Sequence, residues 1–277
     1  MPTVTPSPAR TTALLARAAH IGPALAVTTV VLLLALSGGL PADRVALVVL
    51  AVFAGQLTIG WSNDLLDARR DRATGRPDKP VATGELARSV VTTALVTAGA
   101  ACVALSFLVG WRSALVHLGL GVASGHLYNL ALKGTRWSWL PYAVAFGTLP
   151  AVVTLADVPP RWPPLWMVLT AATLGVAAHL LNALPDLDDD VATGIRGLPH
   201  RIGRTASRSL ATALLVVGSA VAVLGPPDDP GLVAGVAFAV VLVLAVTALV
   251  TSGRTPFRAA IGIALVDVAL LTVVPVR

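Results

Sequence analysis

The charged residues of this chain are few and unevenly placed, and their spacing limits the possible folds more than any other feature. No Asp, Glu, Lys or Arg occurs between Arg17 and Asp43, Arg44 and Asp64, Arg88 and Arg112, Arg112 and Lys133, Arg136 and Asp157, or Arg161 and Asp186. Further uncharged stretches separate Arg208 from Asp228 and Asp229 from Arg254, and between Arg258 and Arg277 only Asp267 intervenes. A membrane-crossing helix needs about 20 mostly apolar residues. The spacing therefore predicts an all-α integral membrane protein of nine transmembrane helices in one bundle, near 13–37, 45–70, 86–109, 113–131, 138–156, 164–188, 206–224, 231–251 and 257–275. With 56% hydrophobic and 12% charged residues, the 277-residue chain is neither disordered nor an ordinary water-soluble enzyme.

The net charge of +6 follows the same spacing. With the N-terminus in the cytoplasm, sixteen of the twenty Lys and Arg residues fall on the cytoplasmic side, which is the orientation that the positive-inside rule selects. This puts the protein in a plasma or inner membrane and explains the basicity by topology and membrane lipid, with no nucleic-acid partner. Residues 1–10 read as a loose tail ahead of a retained first helix, and the single cysteine, Cys102, excludes an intramolecular disulfide. Residues 1–277 then form a single membrane-embedded domain, whose polar inner loops 72–85 and 191–205 each follow an Asp-rich helix end.

These two regions are copies of one another. At an offset of 119 residues, nine of twenty-two positions are identical without a gap: Asn63/Asn182, Leu65/Leu184, Asp67/Asp186, Asp71/Asp190, Ala73/Ala192, Thr74/Thr193, Gly75/Gly194, Pro80/Pro199 and Gly84/Gly203. The copies lie four helices apart, so both face the same side of the membrane. This predicts a pseudo-two-fold four-helix repeat about the membrane normal, with two acidic helix ends converging on one cytoplasmic-side cavity. Parallel repeats also occur in transporters.

Each copy contains N-x-x-x-D-x-x-x-D, and steps of four turn only about 40° around a helix, so each trio forms a slowly turning stripe. Carboxylates crowded at a membrane boundary need cations. Magnesium suits them, because it takes one or two carboxylates and completes its shell with water and substrate phosphate. A diphosphate would also need direct donors, and the inner loops offer Arg76, Lys79, Lys133 and Arg196. Its remainder would lie among apolar helices, which suits a lipid tail. Asp78, Asp188 and Asp189 read as solvated caps, and Arg69, Arg70, Arg201, Arg204 and Arg208 as topology or headgroup residues. His179 falls on the second stripe, where an interhelical hydrogen bond is the simpler role.

With NDLLDARRD at 63–71, RPDKPVATG at 76–84 and DLDDDVATGIRGLP at 186–199, the sequence resembles the UbiA superfamily of intramembrane prenyltransferases. YNLALK at 128–133 is similar to that family's Tyr-containing segment ending in a basic residue. The resemblance implies nine helices around a cavity and Mg²⁺-dependent loss of diphosphate from a polyprenyl diphosphate. A small aromatic or quinone-precursor acceptor then attacks the prenyl cation. Carried over, Asp67, Asp71, Asp186 and Asp190 would be the catalytic acids, and together with Asn63 and Asp64 they would hold the metal. Asn63, Lys79, Tyr128, Lys133, Asn182 and Arg196 would hold the diphosphate, and Trp61 and Phe146 would face the cation. Pro185, directly before Asp186, is expected to kink the sixth helix. The alternatives are a UbiA-type terpene cyclase, which needs no acceptor, and a membrane transporter.

Overall fold

The computed structural model describes residues 7–185, 187–192, 194–227, 231–251 and 255–273, and these are helices joined by short turns. The first expected helix is two pieces. α1 (Pro8–Ala18) and α2 (Ile21–Ser37) meet at 72° across His20. Ser7 caps α1 by accepting from the Arg10 amide at 3.4 Å, and Pro8 occupies its first turn, where the missing N–H costs nothing. The expected loose tail is thus helical from Pro8 onward. α1 buries Leu14 and Ala18 and exposes Arg10 and Arg17, the pattern of a helix lying along an interface.

α3 (Ala42–Ala73) runs for 32 residues without a break. A short α4 (Pro80–Thr83) leads into α5 (Arg88–Val109). The next span, Trp111–Leu132, contains α6 (Trp111–Val116), a π-helical stretch (His117–Val122), α7 (Ala123–Leu127) and a second π-helical stretch (Tyr128–Leu132). The expected helix 138–156 is broken at Thr148 into α8 (Leu140–Gly147) and α9 (Leu149–Thr154), because Pro150 has no amide hydrogen for the preceding turn. α10 (Leu165–Ala183) stops short of the expected residue 188 for the same reason, Pro185 lying just beyond its end. After it come α11 (Leu187–Ala192), α12 (Leu198–Leu224), α13 (Gly231–Val250) and α14 (Thr255–Val273).

Among the described residues, six helices are long and apolar enough to cross a membrane, or seven if the bent α1–α2 pair counts as one span; Leu140–Thr154 is shorter. α3 packs on α5 and α2, α10 on α12 and α8, and α12, α13 and α14 on one another. In lipid such contacts rest on close fit rather than on escape from water. Met167, Leu180, Leu215 and Ile263 are fully buried, whereas Leu232 and Val233 of α13 are exposed. Asp267 of α14 is wholly buried and accepts a hydrogen bond from Ser219 of α12, tying two helices together.

The sequence repeat is also a backbone repeat. The Arg76 amide donates to Asp71 O at 3.0 Å and the Ile195 amide to Asp190 O at 2.9 Å, and Gly75 and Gly194 donate to Arg72 O and Val191 O in the same register. Gly75 and Gly194 have φ of 67° and 84°, and Gly84 and Gly203 have 81° and 82°, values that disfavour residues with a Cβ. Gly203 interrupts α12, so its first turn is the counterpart of α4.

Candidate functional site

The last three turns of α3 carry Asn63, Asp64, Asp67 and Asp71 (Ala42–Ala73), and all three acids are buried. Asp67 Oδ2 accepts from Asn63 Nδ2 at 3.1 Å and from Lys133 Nζ at 2.5 Å, and Arg70 NH2 lies 2.7 Å away. Arg70 also reaches Asp71 Oδ1 at 3.5 Å. The three-residue step on one helix face makes that pairing possible. Arg70 therefore belongs to the acid cluster, although its position alone suggests a topology residue.

The second π-helical stretch supplies the facing wall. Its backbone bonds reach five residues back, as from Lys133 N to Tyr128 O at 3.0 Å, and both Asn129 and Lys133 meet α3. Asn129 donates to Ile59 O and to Ser62 Oγ, each at 2.9 Å, and accepts from Asn63 at 3.3 Å. π turns are common at functional sites. Nothing in the sequence singles out Asn129 except its place beside Tyr128. Tyr128 stands within electrostatic reach of both Asp67 and Asp190. Its ring packs edge-on against Tyr142 and His179.

Lys79 is buried at the N-terminus of α4, with Nζ 3.5 Å from Asp64 Oδ1 and 2.8 Å from His20 Nε2. Arg76 turns instead to Asp78 in a two-pronged pair at 3.0 Å, which holds that exposed carboxyl down to about 2. On the other side, Asp190 lies 3.2 Å from His200 Nε2. The loop before α12 seats on the Lys133–Ser138 turn. Leu198 N donates to Ser138 Oγ at 2.9 Å, and a side chain at Gly197 would collide with Lys133 O. Ser138 also bonds His179 Nε2 at 2.9 Å, so that histidine is tied to the turn before α8 rather than to another helix. Asn182 and Arg196 are both exposed, and Asp186 lies outside the described residues. Trp61 does not face the site. Its indole donates to Leu15 O at 2.9 Å, and the ring packs with Leu14, Val81 and Val91. Phe146 stacks on Tyr142.

The fit of magnesium can be judged from unsatisfied oxygens. Both carboxylate oxygens of Asp64 and Asp71 Oδ2 are buried without a partner at hydrogen-bond geometry. Burying an ionised carboxylate that way is costly, and a hard cation removes the cost. No three His, Cys, Asp or Glu side chains among the described residues form a complete cage.

The profile of the UbiA prenyltransferase family matches residues 24–266. The digeranylgeranylglyceryl phosphate synthase of Methanopyrus kandleri is 29% identical over 181 residues, 59% of this chain and 59% of the synthase. The chain thus spans about three fifths of that relative's length. The bacteriochlorophyll synthase 33 kDa chain of Cereibacter sphaeroides is 27% identical over 246 residues, covering 81% of this chain and 79% of that one. A UbiA homologue from Archaeoglobus fulgidus, solved with GPP and Mg²⁺, shares the fold with a TM-score of 0.65 at 15% identity, over 94% of this chain and all of that one. On the profile match over most of its length, with the shared fold beside it, the chain belongs to the UbiA prenyltransferase family.

Proposed function

We propose that this protein transfers a prenyl group from a polyprenyl diphosphate to an acceptor, with Mg²⁺, at the site between α3, the 128–138 segment and the 187–200 region. The observation that carries this reading is the buried Asp64 and Asp71, with carboxylate oxygens that receive no hydrogen bond, in a cluster with three cations, Arg70, Lys79 and Lys133. Asn63, Asp64, Asp67, Asp71, Asp186 and Asp190 would hold the metal. When bound, it neutralises diphosphate charge as a Lewis acid. The C–O bond between the prenyl C1 and the diphosphate breaks, and its electron pair leaves on the diphosphate oxygen. Lys79, Lys133 and Arg196 lie on the segments that would meet that charge, with Tyr128 and Asn182 at its edge. Preorganised donors of this kind are commonly the largest catalytic contribution. The acceptor's nucleophile then bonds to C1 and releases a proton.

The relatives bear on the acceptor. Neither a digeranylgeranylglyceryl phosphate synthase nor a bacteriochlorophyll synthase is named for a quinone. They favour a glyceryl phosphate or chlorophyll-type acceptor over the aromatic one expected from sequence. The reading also includes nine crossings with a cytoplasmic site. α14, at 19 residues, reaches about 28 Å, close to the bilayer core, and the broken α8–α9 pair supplies a short crossing. The matching turns at Gly75 and Gly194 support the pseudo-two-fold relation.

Mass spectrometry of lipids formed by the full chain in vesicles tests this. The mixture holds Mg²⁺, geranyl diphosphate or longer homologues, and each acceptor class in turn. A prenylated acceptor that requires Mg²⁺ is the expected product. A cyclised hydrocarbon without acceptor, or solute flux without any prenyl product, would replace the proposal with the cyclase or the transporter.

A further inference from the structure

His20 is the one described residue other than glycine with a positive φ, 53°, at the break between α1 and α2. Such a conformation is unfavourable for a residue with a Cβ, so packing must hold it. It does so closely: a Cβ at Gly60 would lie 2.1 Å from Ala19 O, and Trp61 bonds Leu15 O from the same turn of α3. Arg17 donates to Pro77 O at 3.0 Å, binding α1 to the loop that carries Lys79. The break is thus wedged between α3, one turn before Asp64, and the 76–80 loop. There His20 Nε2 meets Lys79 Nζ at 2.8 Å. An ammonium only donates, so Nε2 must be the acceptor and the ring a neutral imidazole carrying its proton on Nδ1.

We propose that His20 is a positioning residue for the diphosphate-binding site, holding the Lys79 ammonium beside Asp64 so that a donor faces the leaving diphosphate. Asp64 alone, at 3.5 Å, is a loose restraint on a four-carbon side chain. A second acceptor, His20 Nε2 at 2.8 Å, fixes it. The inference rests on the reading of Lys79 as a diphosphate ligand, and the test separates the two.

The full chain in detergent is titrated with geranyl diphosphate and Mg²⁺ by calorimetry, as wild type, His20→Ala, His20→Gln, Lys79→Met and the double variant His20→Ala/Lys79→Met. Loss of a hydrogen bond to a charged group predicts that His20→Ala weakens binding roughly ten- to a hundredfold. The glutamine amide oxygen, near the place of Nε2, should bring it back to within about twofold of wild type. The loss should vanish in the Lys79→Met background. Wild-type binding by His20→Ala beside weakened Lys79→Met overturns the inference alone, as does a His20→Ala loss that persists in the double variant. Unchanged binding by Lys79→Met overturns the reading of Lys79. Should His20→Ala not fold, ¹⁵N-histidine NMR of the wild type decides: an unprotonated Nε2 whose resonance moves in Lys79→Met supports the contact, and one indifferent to Lys79→Met removes it.

Discussion

The two copies of the repeated segment keep one backbone and differ in their electrostatics. In residues 63–84 the helix runs unbroken through Asn63, Asp67 and Asp71, and Arg70, Lys79 and Lys133 compensate its acids. In residues 182–203, proline stands where the first copy has Leu66, α10 ends at Ala183, and Asn182 is exposed where Asn63 is bonded. Asp190 sits beside His200 at 3.2 Å, and the position matching Lys79 is Leu198. Yet the amide bonds to Asp71 and Asp190 and the two left-handed glycines match. Backbone geometry follows from a few turn residues, whereas charge compensation depends on neighbours that the repeat does not carry. The acids of the first copy are thus paired with fixed cations, whereas Asp190 of the second sits beside a histidine.

The sharpest way to break this contrast is to neutralise one acid in each copy. Asp71→Asn should lower kcat/KM by at least about a hundredfold, the scale of losing a preorganised electrostatic partner, and Asp190→Asn by less. Equal losses, measured by prenyl transfer from labelled diphosphate, would make the copies equivalent. Pro185→Leu comes next, since it gives the second copy the residue of the first. Continued helix should re-aim Asp190 and cost about tenfold in activity in a folded protein, because misplaced groups lose rate steeply. Unchanged activity would mean that the kink is incidental.

Smaller effects probe the shared backbone. Gly75→Ala and Gly194→Ala each add a Cβ that meets no atom within 4 Å, so the cost is the left-handed backbone alone, about 1–2 kcal/mol. Their losses in thermal stability should agree, and a marked inequality would deny a common turn. The smallest effect concerns Asp78, whose counterpart is Gly197. Its depressed carboxyl contributes stability above the ordinary value of 3.8, and this is lost as pH falls through about 2. The pair is exposed, so Asp78→Asn should cost less than about 1 kcal/mol at pH 7 and remove that acid dependence. A larger loss would make the pair a structural element of the first loop.

Much of this was legible in the sequence because it depends on local residues. Uncharged intervals became helices, and the shared Gly and Pro positions became shared turns. Prolines predicted helix ends, yet Pro150 breaks a span that the charge spacing reads as whole, because spacing carries no information on hydrogen-bond loss within an apolar run. The break at His20 was hidden as well, since the contacts that hold it, Ala19 with Gly60 and Leu15 with Trp61, join segments far apart in the sequence. Arg70 had the three-residue step from Asp67 to betray it. Asn129 and His200 had no such signal, because their partners lie on other helices. Trp61 was misread because the helix fixes which residues share a face, not which face turns toward the site.

The length of α3 has one more consequence. Thirty-two residues make about 48 Å of helix against a hydrocarbon layer of about 30 Å. If one end of an upright α3 starts with Ala42 at the far boundary, roughly twenty residues exhaust the oil, and the chain emerges near Ser62. Asn63 and the acids then begin where the oil stops. On the proposed function the helix would work as a depth gauge, setting the bond to be broken at the water's edge with the isoprenoid hanging back into the acyl layer. Substrate length would then be read by the membrane as much as by the protein, and product would depart sideways without ever crossing water.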